Sequence, residues 1–150
     1  MAAPETPAAA IERLLRSGDA AEALRIADGL LAKARGNLAG RFGRARAHFQ
    51  LGKVGEADAE LDECTRLAGK DPHVGLLRGI VHQRLGRVDR AIESLRPIAE
   101  GCTPFATEAA IALAETLWFG NRRDALAAMM AAALPLCPLA AGAALRGAAE

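Results

Sequence analysis

The sequence predicts an all-helical chain of stacked helix pairs. Three observations carry that expectation: a composition that suits helix and not strand, a repeat of 34 residues, and apolar positions inside each repeat at helical spacing. Of 150 residues, 36 are Ala and 20 are Leu, while Tyr is absent. β-Branched residues are sparse, and that balance favours helix over strand. Gly18, Gly52, Gly86 and Gly120 stand 34 apart, as do Ala23, Ala57, Ala91 and Ala125. Matching eight positions this way has a chance probability of roughly one in a hundred thousand, even when the frame may slide.

The same frame aligns Ala23, Ala27 and Leu30 with Ala57, Leu61 and Cys64, then with Ala91, Leu95 and Ile98, then with Ala125, Met129 and Ala132. A spacing of i, i+4, i+7 is one face of a helix. A second helical stretch precedes each glycine, so each repeat is a helix pair. The glycine supplies the left-handed residue that a short turn between antiparallel helices requires.

In order, the helices are expected at Pro7 to Ser17, Ala20 to Arg35, Leu38 to Leu51, Val54 to Ala68, Pro72 to Leu85, Val88 to Glu100, Pro104 to Phe119 and Arg122 to Leu134. Asp19 and Asn121 are candidate N-caps, and Asp71-Pro72 and Thr103-Pro104 each read as a cap plus a first-turn proline. Pro97, inside the sixth helix, removes an N–H and is expected to kink it near Glu93. Residues 1–6 read as a flexible tail and 7–137 as the four helix pairs. Residues 138–150 read as a capping helix, about Pro138 to Arg146, that could continue into a longer protein.

These repeats resemble the tetratricopeptide repeat (TPR) family, whose 34-residue unit carries this glycine and, five residues later, this alanine. The resemblance covers about residues 4 to 138 and implies a right-handed α-solenoid. The family's aromatic near the start of the first helix is replaced by Pro7, Arg41, Gly75 and Ala109, and its mid-helix Tyr by Leu14, His48, His82 and Thr116.

The resemblance also implies that the first helix of each pair lines a concave groove. The inward stripe is then Ala8, Glu12, Leu15 and Arg16 in repeat one, Phe42, Arg46, Phe49 and Gln50 in repeat two, and Leu76, Ile80, Gln83 and Arg84 in repeat three. Ala110, Ala114, Leu117 and Trp118 complete it. Residues 37 to 55 hold Arg41, Arg44, Arg46 and Lys53 without an acid, whereas Glu56, Asp58, Glu60, Asp62 and Glu63 crowd the next helix. Residues 72 to 88 repeat the trend with Arg78, Arg84 and Arg87. A basic inner wall and an acidic outer one would steer an acidic or carboxylate-bearing segment into the groove.

The expected partner is therefore a protein or peptide, anchored on Phe42, Phe49, Leu76 and Ile80 and fixed by Arg46 and Arg84. The Lys/Asn clamp of chaperone-binding family members is not matched at Ala8, Glu12, Phe42, Arg46 and Leu76. A substrate-recruiting domain of a larger bacterial enzyme, such as a protein glycosyltransferase or sulfotransferase, is the alternative. A homo-oligomer joined through the Ala-rich last helix is a third reading.

Other classes find little footing. A formal charge of +1, with few aromatics and little Lys, gives nucleic acid no general attraction. Pro135, Pro138 and Gly142 break the longest uncharged run, and no charged leader precedes it, so neither a membrane span nor a signal peptide is expected. Cys64, Cys102 and Cys137 lack metal-ligand spacing and suit reduced thiols, which points to the cytoplasm. His48 and His82 read as core residues rather than metal ligands, and His73 as a surface residue. Only Ser17 and Ser94 are serines, and no nucleophile elbow, HExxH or phosphate loop is present, so neither catalysis nor a cofactor is expected.

Overall fold

The computed structural model describes residues 3–136, and among these every regular element is an α-helix. They are α1 (Pro7–Ser17), α2 (Ala20–Lys33), α3 (Leu38–Gln50), α4 (Val54–Ala68), α5 (Pro72–Arg84), α6 (Val88–Ala99), α7 (Ala106–Phe119) and α8 (Arg123–Leu136). The expected capping helix at Pro138 to Arg146 lies outside the described residues, as does Cys137.

Local chemistry explains most of the boundaries. Thr6 accepts from the Ala9 amide at 3.2 Å and Asp19 from Glu22 at 3.2 Å, each satisfying a first-turn donor. Asn37 does the same for Gly40 at 2.8 Å, and Asp71 receives both His73 and Val74. Pro72 opens α5 where its missing N–H costs nothing. By contrast Pro104 stands in a turn, closed by the Ala106 amide on the Thr103 carbonyl at 3.1 Å, and α7 starts two residues later than its sequence predicts. Pro97 is exposed in the last turn of α6, which runs on to Ala99.

The chain divides between Val74 and Gly75 into two compact units. In the first, α1 packs on α2 and α3, and α3 on α4. Its core gathers Ile11, Leu14, Leu15, Ala23, Ala27 and Ala47. In the second, α6 packs on α7 and α7 on α8, around Leu76, Ala91, Leu95, Ile98, Leu113 and Leu117. The alanine column has a packing reason in both units, since Ala23, Ala57 and Ala91 are wholly buried and a methyl group is what fits between the helices.

The turns follow the repeat three times and then slip. Gly18, Gly52 and Gly86 take φ of 83°, 75° and 71°. The next amide reaches back five residues: Asp19 to Leu14, Lys53 to His48 and Arg87 to His82, at 2.8–2.9 Å. In the fourth repeat Gly120 has φ −77°, the left-handed residue is Asn121 at φ 57°, and the back-bond runs from Arg122 to Leu117. Asn121 is thus the turn residue rather than the N-cap its sequence position suggests. Equivalent back-bonds stand 34 residues apart from Lys53 to Arg87 and 35 from Arg87 to Arg122. One extra residue has entered before α7, and Ala125 is correspondingly only half-buried.

Candidate functional site

In the first unit, α1, α3 and the first turn of α5 enclose a cleft of about 260 Å³, lined by Ala8, Glu12, Phe42, Asp71 and His73 among others. The Phe42 ring meets His73 edge-on at 4.6 Å, and the Arg46 guanidinium lies 5.7 Å from the Phe42 centroid. Arg46 is ion-paired with Glu12. Gln50 is turned to structure: its amide donates to the Leu15 carbonyl at 3.0 Å, satisfying the end of α1. Phe49 is half-buried.

The basic wall expected here does not form. Arg44 donates to Glu60 at 2.6 Å and Asp28 at 3.1 Å, and Arg41 to Glu60 at 3.3 Å and to the Arg35 carbonyl at 2.9 Å. These side chains bridge from α3 to the acids of α2 and α4, because opposite charges on adjacent helices neutralise each other when the helices pack. Burial alone lowers the Arg44 pKa, but its hydrogen bonds to Glu60 and Asp28 outweigh that and hold it above the usual arginine range.

In the second unit, α5 and α7 face each other across a cleft of about 520 Å³. Three expected residues, Ile80, Gln83 and Arg84, come together on the α5 wall. The opposite wall is not the one the repeat predicts. A one-residue insertion turns a helix by about 100°, so Glu108, Ile111, Ala112, Glu115 and Phe119 line the cleft in place of Ala110, Ala114 and Leu117. Gln83 Nε2 lies 3.5 Å from Glu115 Oε2. Leu76 and Leu117, expected on the groove, are core residues at 8% and 1% exposure. Trp118 is 60% exposed, with the Arg123 guanidinium 5.9 Å from its ring centroid. Phe119 is 80% exposed and Ile111 44%. The missed residues had a signal in the Gly120-Asn121 pair, where either residue can take the left-handed position.

No chemistry beyond binding is assembled among the described residues, where no group of three or more His, Cys, Asp or Glu could hold a metal ion. His82 is buried and His48 half-buried. Cys64 is wholly buried, and burial, reinforced by the charge of Glu60, pushes its thiol up to about 11, away from nucleophilic thiolate. No described helix is long and apolar enough to cross a membrane.

A repeat of helix pairs with left-handed turns at a 34-residue period, offering clefts rather than a reactive centre, defines a helical-repeat protein of the binding class. Residues 14–81 match the family model described as tetratricopeptide repeat. A solved structure, a thermophilic TPR protein in Thermus thermophilus, is similar at 25% identity over 95% of this chain and 82% of that one, with a TM-score of 0.71. No curated protein matches the sequence. The chain belongs to the tetratricopeptide-repeat family, whose repeats generally mediate protein–protein interaction.

Proposed function

We propose that this chain is a protein-interaction module that docks a peptide or helical segment of a partner in the α5–α7 cleft, acting by binding and carrying no chemistry of its own. One observation carries the reading: α7 presents Ile111, Trp118 and Phe119 to solvent together, within three turns of one helix. Large exposed side chains clustered in this way mark interaction surfaces, whereas scattered ones do not. Aromatic residues supply much contact area for little lost side-chain freedom. Ile80 extends the apolar floor, and Gln83 and Arg84 give it a polar rim.

The partner surface differs from the one the sequence predicts. Phe42 and Arg46 already satisfy one another, His73 and Glu12, so the first cleft offers a ligand less unspent chemistry. The test is the pair Ile111→Ser and Phe119→Ser. Both side chains are exposed, so the double variant should keep its helicity and melting temperature while losing partner capture. Undiminished capture by the folded double variant overturns the assignment of the cleft.

A further inference from the structure

We infer that the α5–α7 cleft selects a basic amphipathic segment of its protein partner, not an acidic one. This rests on the docking reading above and adds the sign of the charge. Glu108, Ile111, Glu115 and Phe119 follow the i, i+3, i+7, i+11 spacing of a single helical stripe. Carboxylates therefore bracket Ile111 along one wall, and Phe119 closes its end. Both glutamates are exposed. Across the cleft the single cation is Arg84, so the lining residues carry two carboxylates against one guanidinium. In the first cleft, by contrast, Arg46 answers Glu12 directly.

The sign follows from the slipped register. In an uninterrupted 34-residue frame, Ala110 and Ala114 would occupy this wall, leaving Arg84 to set a positive field. With the extra residue, the wall is acidic and apolar in alternation. A segment with Leu-like side chains one turn apart and Lys or Arg at the flanking positions would bury its apolar face on Ile80, Ile111 and Phe119. Its cations would then meet Glu108 and Glu115. Exposed charges of this kind choose between partners and speed encounter more than they add affinity.

The experiment is a random-peptide display library panned on the intact chain, followed by titration of the synthesised winners. Winners should combine apolar residues with Lys or Arg. They should lose about tenfold or more in affinity to Glu108→Lys/Glu115→Lys and weaken as salt is raised. They should also fail to bind Ile111→Ser/Phe119→Ser. Acidic or uncharged winners that still need Ile111 and Phe119 overturn the charge inference and leave the docking site standing. Winners indifferent to Ile111 and Phe119, or none at all, overturn both. Self-association of the chain that the Ser double variant abolishes makes a second copy the occupant, and that also overturns the inference.

Discussion

Gly120 packs beneath Val88: a Cβ on Gly120 would lie 2.7 Å from Val88 Cγ1 and 2.9 Å from the Thr116 carbonyl oxygen. Its neighbour Asn121 makes the left-handed turn that glycine makes in the first three repeats. The last glycine of the repeat therefore survives for a reason different from the other three. Gly120→Ala should cost about 1–3 kcal/mol by overpacking. Asn121→Gly should change stability by less than about 0.5 kcal/mol, and Asn121→Val should cost about 1–2 kcal/mol through its positive φ. Chemical denaturation of the three variants reads the ranking, and a neutral Gly120→Ala would refute the close approach.

Two other glycines separate conformational strain from crowding. Gly52 has φ 75° with nothing within 4 Å of its notional Cβ, so Gly52→Val acts through backbone alone and should cost about 1–2 kcal/mol. Gly79 sits inside α5, where alanine is the better helix former by about 1 kcal/mol. Its Cβ would nevertheless fall 2.4 Å from Leu95 Cγ. Gly79→Ala should still be net destabilising, and a rise in melting temperature would show that Leu95 has room to move.

Glu60 is expected to act as a structural anchor for two arginines. Its side chain is 15% exposed and receives both Arg41 and Arg44, themselves 18% and 26% exposed. Glu60→Ala should cost roughly 1–3 kcal/mol, because two partly buried guanidinium groups lose their acceptor. Glu63→Ala removes an exposed pair with Arg66 one turn away and should leave melting unchanged. Equal effects from the two substitutions would contradict the difference in burial.

Residues expected to contact a ligand but engaged within the fold should behave as structural ones. Gln50→Ala removes the donor to the Leu15 carbonyl and should cost about 0.5–1.5 kcal/mol. Arg46→Glu sets a carboxylate against Glu12 and should lower stability too. Neither should reduce capture of a partner that occupies the α5–α7 cleft, a comparison that binding titrations and melts on the same samples can make.

The thiols provide a probe of opening. Alkylation near about pH 8 followed by site-resolved mass spectrometry should modify exposed Cys102 rapidly. Cys64, buried and with its thiol raised to about 11, should react only as the first unit unfolds. Prompt labelling of Cys64 in the folded chain would contradict the packing of α4.

The sequence by itself determined what local chemistry controls. It set the 34-residue period, the helix pairs, the limits of α1 and α4, the caps at Asp19 and Asp71 and the three glycine turns, because each depends on residues within a few positions of one another. Tertiary packing decided which faces those helices show. Arg41 and Arg44 look like a basic wall along the chain but are spent on Glu60 and Asp28, which neighbouring helices bring to them. Leu117 goes into the core while Phe119 goes out. The reason is angular: one residue shifts a helix length by only about 1.5 Å but its face by about 100°, so a single insertion in the turn before α7 exchanges alanines for Glu108, Ile111 and Glu115 at the cleft.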